Sequence, residues 1–307
     1  MKLAISVGDV NGVGLEIALD SHHIIKEYCE PIYCINRDLL NQASLLLNRA
    51  IDDDFKIVEV GENFKIEPSK VRKNSGRFSF ESFEKAIKLA KSNEVEAIVT
   101  LPINKESWFE AGVKYRGHTE ALRDFFQRDA IMMLGCDKMF VALYSEHIPF
   151  REVMENIKEY KLTHFLITLF NELKVDNIAV LGINPHCGDG GVLGDEDDII
   201  RESIKKANSI LKQNIFKGPI VPDTAFTPRN REQFKYFVAM YHDQGLAPLK
   251  ALYFDESINV SLNLPIIRVS VDHGTAFDIA YRDAKPDNQS YINAVKEAIN
   301  LAKKRLQ

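Results

Sequence analysis

What this chain lacks narrows its class before any motif is read. No apolar run in its 307 residues approaches the roughly 18 that a membrane-spanning helix needs. The opening MKLAISVGDV has one Lys and no long apolar core, which is not the pattern of a secretory signal. Positive charge is not in excess. There are 39 Lys and Arg against 44 Asp and Glu, a net charge of −5, and the isoelectric point is near 6.0. That balance argues against nucleic acid or a membrane surface as partner. Cysteine is scarce: Cys29, Cys34, Cys136 and Cys187 show no paired metal spacing and read as reduced thiols of a cytoplasmic protein. Internal repeats and low-complexity linkers are absent. So is the GxGxxG dinucleotide fingerprint, because the glycines of GDVNGVGLE fall at 8, 12 and 14. That stretch reads as a strand-to-helix turn or as a turn that lets a phosphate approach the backbone.

What is present is an ordinary globular composition, 45% hydrophobic and 27% charged, long enough for two domains or one large one. Short β-branched runs (KLAISV, PIYCIN, FKIVEV, EAIVTL, FVALYS, NIAVLGI, GPIVP, FVAMY and IIRVSV) read as strands. Several are apolar at consecutive positions, as strands covered on both faces are. Between them lie helical stripes. Phe83, Ala86, Ile87 and Ala90 share one face; Leu162, Phe165, Leu166, Leu169 and Leu173 share another; Val295, Ala298, Ile299 and Ala302 close the chain. The alternation predicts an α/β protein with a largely parallel sheet. VEVGENFKIEPSKVRKNSGRFS is the most irregular region and is expected to be a loop or a small appended hairpin.

Chemistry collects where apolar runs stop. His147 in MFVALYSEHIPF, His186 in NIAVLGINPHCGDGG, His242 in YFVAMYHDQG and His273 in IIRVSVDHGTAFDIA each follow such a run. Ligands of open α/β sheets bind beyond the carboxyl ends of the strands, so loops there could bring these imidazoles together. Three neutral imidazoles with an open fourth position make a catalytic divalent-metal site. The wide spacing does not by itself prove one. Asp243 and Asp223 are candidates to orient a ligand or take a proton. His22 and His23 read as a solvated polar connection, and His164 lies in a helical stripe. In RGHTE, before EALRDFF, Thr119 reads as a helix N-cap or as part of an anion site with His118. Lys250, Asn259 and Arg268 follow the His242 strand; the two cations offer charge, and Arg can grip phosphate or carboxylate in two places.

Taken together, GHTE, GINPHCGDGG, YHDQGLAPLKA, NVSLNLPIIRVSVDHGTAFDIA and the frame of VTLPINKESW resemble the 4-hydroxythreonine-4-phosphate dehydrogenase family, from Gly8 almost to the C-terminus. The resemblance implies two α/β/α domains similar to the isocitrate and isopropylmalate dehydrogenases, with the active site in the interdomain cleft. Residues 1–105 with 255–307 would form the NAD-binding domain and 106–254 the metal- and dimer-forming domain. It implies that His147, His186 and His242 hold the metal, His242 serving the second subunit of a homodimer. His118, Thr119, Lys250, Asn259 and Arg268 would bind substrate. The loop HGTAFDIAYRDAKPDN looks like the cofactor loop of those dehydrogenases, which implies NAD (or NADP) contacts at His273, Gly274, Thr275, Ala276 and Asn288. The implied reaction is metal-assisted oxidation of 4-phosphooxy-L-threonine and decarboxylation to 3-amino-2-oxopropyl phosphate, for pyridoxal phosphate synthesis. Zn, Mg, Mn and Co all suit the ligands. The nearest alternative substrate is threonate or erythronate 4-phosphate, and a phosphate acyltransferase is a remoter alternative. The family commonly reads GDPAGIGPE where this chain reads GDVNGVGLE, and GRFSFESFEKAI is also reduced from the usual spacing.

Overall fold

The computed structural model describes residues 1–282 and 284–306. In chain order its strands are β1 Lys2–Ser6, β2 Glu30–Cys34, β3 Lys56–Val58, β4 Ala97–Thr100, β5 Ile131–Cys136, β6 Met139–Leu143, β7 Ile178–Leu181, β8 Phe216–Ile220, β9 Tyr236–Ala239, β10 Ile258–Leu262 and β11 Arg268–Val271. The helices are α1 Gly14–Ile25, α2 Arg37–Leu47, α3 Lys73–Lys91, α4 Lys105–Glu110, α5 His118–Phe126, α6 Phe150–Asn156, α7 Glu159–Leu173, α8 Asp197–Leu211, α9 Pro228–Gln233, α10 His242–Tyr253 and α11 Gln289–Arg305. The fold is α/β with mostly parallel strands, as the alternation predicted. The chain forms two compact units, Met1–Ala130 with the segment from Ile258 onward, and Ile131–Ser257.

In the first unit the strand order is β3-β2-β1-β4-β11-β10. Neighbours run parallel except β10, which is antiparallel to β11. β4 is buried at all four positions, as a strand with cover on both faces must be. The α3 stripe of Phe83, Ala86, Ile87 and Ala90 packs into a core with Trp108 and Leu122. Trp108 donates its indole N–H to Ser79 at 2.6 Å, which satisfies the one polar atom it buries. Asn36 and Asn104 cap α2 and α4 by accepting the Leu39 and Ser107 amides. Gly8, at φ 70, ends β1; a Cβ there would run into the Pro102 carbonyl, so only glycine lets these two strand ends meet.

In the second unit the order is β5-β6-β9-β7-β8, with β5 antiparallel to β6 and the others parallel. Met132, Leu134, Val141, Ala179 and Phe237 from its strands meet Leu246 and Leu249 of α10 in its core.

Several expectations change. β5 and β10 were not among the runs read as strands. Each is the antiparallel member of a hairpin, so no helix separates it from its partner and the alternation gave no sign of it. The irregular region holds no hairpin; its last residues, from Lys73, begin α3. His22 and His23 sit in α1 rather than in a polar connection, and His22 is buried.

Candidate active site

In the second unit, β6 and β9 are adjacent and parallel, so their carboxyl ends deliver His147 and His242 to the same edge. The two rings lie 5.3 Å apart, tilted by 43°. His242 is the first residue of α10, and its Nδ1 lies 2.7 Å from the Asp243 carboxylate. In a neutral ring, an Nδ1–H donated to that carboxylate leaves the Nε2 lone pair free. Asp243 is thereby engaged as an orienting partner. His147 and His186 are exposed.

The His186 loop is wound tightly. His186, Cys187 and Asp189 all have positive φ, at 52°, 52° and 43°, a conformation non-glycine residues enter at a cost. Gly188 crosses under Gly194, where a Cβ would strike the carbonyl. The loop is anchored by a residue the sequence reading missed. Buried Asp197, at the start of α8, accepts the Ile183 and Asn184 amides at 2.8 and 3.0 Å. Gln244 was also missed. It accepts the Met240 amide and donates to the Gly182 carbonyl, both at 2.7 Å, tying the His242 strand end to the His186 strand end. Asp223 lies exposed after β8. With burial and Asp197, its charge helps raise the pKa of Cys187, two segments of the same loop edge. Lys250 lies on α10, with Nζ 5.2 Å from the centre of the Phe254 ring.

The ligand atoms of His147, His186 and His242 do not all lie within 4.8 Å of one another. Among the described residues, the group whose ligand atoms all lie within 4.8 Å of one another is His22, Asp52 and Asp54. There Lys26 already sits 3.2 Å from Asp54 and 3.5 Å from Asp52, and His22 bonds Tyr33 and Asp54. That cluster is a salt-bridged surface site whose charge Lys26 offsets.

The first unit holds a different kind of chemistry. Arg268 pairs with Ser261 across β10, and Ser270 pairs with both Asn259 and Thr100. Because strand side chains alternate, these polar residues share one face. Arg268 is 2% exposed and donates to the Thr100 hydroxyl from Nε at 3.2 Å and Nη2 at 2.8 Å, and to the Ser261 hydroxyl from Nη1 at 3.1 Å. Asn259 Oδ1 is enclosed without a partner, and so is His118 Nε2. The His118 ring lies edge-on to Phe83 at 4.5 Å and Trp108 at 5.5 Å. Burial first, and the Arg268 charge second, push its pKa well below the histidine range, so it stays neutral. Thr119 is the second residue of α5 and not its cap. Gly117 takes the cap position, and Glu120 reaches back to the Arg116 amide at 2.6 Å.

The loop after β11 packs on the turn after β1: the Val13 amide donates to the Thr275 carbonyl at 3.0 Å. His273 Nδ1 donates to the Gly274 carbonyl at 3.0 Å, and its enclosed Nε2 has no hydrogen-bond partner among the described residues. Gly274 faces open space. Ala276, at φ 44, accepts the Ile279 and Ala280 amides. Asn288 caps α11 in position only; its amide donates to Ser21 of α1 at 2.9 Å. Asp283 of this loop lies outside the described residues.

The second unit carries strand-end imidazoles, and the first carries a buried guanidinium that no carboxylate among the described residues pairs with; each is a group that an α/β enzyme can use. Residues 27–298 match the family of the pyridoxal phosphate biosynthetic protein PdxA. The chain is 59% identical over 304 residues, 99% of each chain, to a 4-hydroxythreonine-4-phosphate dehydrogenase of Sulfurimonas denitrificans. It is 55% identical over 302 residues, 98% of each, to the enzyme of that name from Campylobacter fetus. A solved 4-hydroxythreonine-4-phosphate dehydrogenase of Klebsiella pneumoniae superposes with a TM-score of 0.83 at 30% identity, covering 98% of both chains. The chain belongs to the PdxA family.

Proposed function

We propose that this enzyme oxidises the C3 alcohol of 4-phosphooxy-L-threonine with NAD (or NADP), and that the β-keto acid formed loses carbon dioxide to give 3-amino-2-oxopropyl phosphate, a precursor of pyridoxal phosphate. The observation that carries the reading is Arg268, a buried cation that no carboxylate among the described residues approaches within ion-pair distance. Buried charges are normally paired, and a phosphorylated substrate would supply the missing anion. Lys250, from this chain or from a second copy, adds a second cation. Asn259 and neutral His118 each offer an unpartnered polar atom to the same ligand. His118 near Arg268 favours a neutral imidazole, which holds substrate without repelling the guanidinium.

The donor set fits a divalent metal: His147 and His242 lie ring to ring, and Asp243 leaves the His242 Nε2 lone pair free. His147, His186 and His242 would hold such an ion, which would supply Lewis acidity toward the substrate oxygen, and a nicotinamide would supply the hydride acceptor. We assign the metal as one of Zn, Mg, Mn or Co. On this reading the site is completed in a homodimer, His242 of one copy serving the site that holds His186 of the other. Asp243 keeps His242 in its binding tautomer, and Asp223 is the candidate to move a proton. The loop His273–Ala276 with Asn288 would face the cofactor in the first unit, and the second unit would carry the metal and the dimer contact. No helix of the described residues is long and apolar enough to cross a membrane, and we place the enzyme in the cytoplasm.

The test is NADH formation with 4-phosphooxy-L-threonine, threonate 4-phosphate and erythronate 4-phosphate, each with and without chelator. Chelator-sensitive turnover of the first is expected. Turnover of a sugar-acid phosphate in its place would move the assignment to that substrate.

A further inference from the structure

Arg268 is held in an unusual way for a buried arginine. Its flanking strands could have offered an aspartate or glutamate at either contact position and offer hydroxyls instead. Ser261 faces it directly across β10, and Thr100 lies two residues further along β4 on the same face. Three of the five guanidinium N–H donors point at these two oxygens. Thr100 is fully buried and Ser261 is 4% exposed, so water does not share the work of holding the group.

The choice of hydroxyl has a consequence for charge. A carboxylate at either position would cancel the cation and repel an arriving phosphate. A valine or alanine would leave buried N–H groups unsatisfied and the side chain free to turn. A hydroxyl accepts the hydrogen bond, fixes the plane of the guanidinium and brings no negative charge. The two donors that these hydroxyls do not take would be left for the ligand, as a bidentate grip requires. We propose that Thr100 and Ser261 are positioning residues, which orient Arg268 and leave its full charge for the anionic group of the substrate. Burial pulls the Arg268 pKa down to about 9, and a guanidinium in that range is still charged at neutral pH. The inference rests on the reading that Arg268 binds substrate.

The experiment compares Thr100→Val, Thr100→Ser, Ser261→Ala and Arg268→Ala in the full-length enzyme. It reads kcat and KM for 4-phosphooxy-L-threonine, KM for NAD, competitive inhibition by inorganic phosphate, and the thermal midpoint. Thr100→Val is expected to raise the substrate KM and the phosphate inhibition constant roughly tenfold, the loss that follows a disturbed charge-assisted hydrogen bond. Its kcat and its KM for NAD should change by about twofold or less. Thr100→Ser keeps the oxygen and should recover most of the affinity, and Ser261→Ala should show a smaller effect of the same kind. If Thr100→Val does not fold, Ser261→Ala carries the comparison. A rise in substrate KM for Arg268→Ala, with Thr100→Val and Ser261→Ala unchanged in KM and phosphate inhibition, would overturn the positioning role alone. An unchanged KM for Arg268→Ala would overturn the reading beneath it. A lowered thermal midpoint with no change in phosphate inhibition would make the hydroxyls structural only, and that too overturns the proposal.

Discussion

In the first unit Arg268 is buried and hydrogen-bonded between strands, and His118 and Asn259 are half-buried, each with one enclosed polar atom. In the second unit His147 and His186 stand exposed on loops, and the ligand atoms of the three imidazoles do not all lie within 4.8 Å of one another. One unit presents a finished binding surface and the other a partial one. Enclosure makes the first responsive to the charge and shape of what enters. The second leaves its imidazoles open, and the proposed reading has a metal ion and a second copy complete it. Substitutions in the two units should therefore fail in different ways.

The largest effect is expected in the open unit. His147→Ala, His186→Ala and His242→Ala should each abolish turnover in metal-depleted buffer while the protein remains folded, because Ala offers no ligand and the remaining histidines hold metal poorly. Circular dichroism with activity measurement checks this. Near-wild-type turnover by any of the three would remove that residue from the metal site.

The enclosed unit should lose binding rather than chemistry. Arg268→Ala should raise the substrate KM by roughly ten- to a hundredfold, the equivalent of about 1.5–3 kcal/mol for a charge-assisted hydrogen bond. His273→Ala should instead raise the KM for NAD and spare the substrate. Initial rates with each ligand varied in turn separate the two. If His273→Ala loses metal and keeps its affinity for NAD, the cofactor role of the loop after β11 fails.

These residues also mark how far the sequence could be read. The strand-end histidines stood out because apolar runs stop at them, whereas Asn259 and Arg268 read only as polar residues after the His242 strand, with β10 itself unread. Thr100, Asp197 and Gln244 did not stand out. Their work is done across the fold: Thr100 meets a residue 168 positions away, and Gln244 meets a carbonyl 62 positions away. No local pattern encodes such a contact. For Thr119, only the cap reading fails. Its type suits a helix cap, but Gly117 and Glu120 already close that end of α5. His22 misled because its polar neighbours in sequence suggested water, while Tyr33 and Phe55 enclose the ring, with Phe55 at 4.8 Å. β5 and β10 escaped because the expected rhythm was strand then helix, and each meets its partner through a hairpin.

A middling effect is expected where a missed residue joins the two histidine loops. Gln244→Ala should weaken metal affinity about tenfold, as lost outer-shell support does, with the fold intact. Titration with Co or Zn followed by absorbance or competition measures it. Unchanged affinity would leave Gln244 with a purely structural role.

The smallest effect belongs to the enclosed unit. Asp9 is fully buried, and one carboxylate oxygen has no partner. Burial raises its pKa above 3.8, against the weaker opposing pull of the Asn11 amide and of Ser107 and Ser75. The folded chain therefore holds this proton to higher pH than the unfolded chain does. Between 3.8 and the raised value, stability falls as pH rises, and the loss persists above it. Asp9→Asn keeps an acceptor for the Asn11 amide and removes the buried charge. It should flatten the dependence and stabilise the protein slightly at neutral pH, seen as a higher midpoint in urea melts at pH 7 and little change near pH 4. A lower midpoint at pH 7 would show that the charge is needed.

The central claim is that the open unit is completed by a second copy. The most direct measurement mixes inactive His186→Ala and His242→Ala protomers and follows NADH formation after verified subunit exchange. If His186 and His242 of one site belong to different copies, each heterodimer carries one intact site. Activity should then return to about a quarter of wild type for random pairing of independent sites. The same mixture made with His147→Ala and His242→Ala assigns His147: recovery places it with His186, and silence places it with its neighbour His242. No recovery in the His186→Ala and His242→Ala mixture would put both ligands in one chain and contradict the shared site.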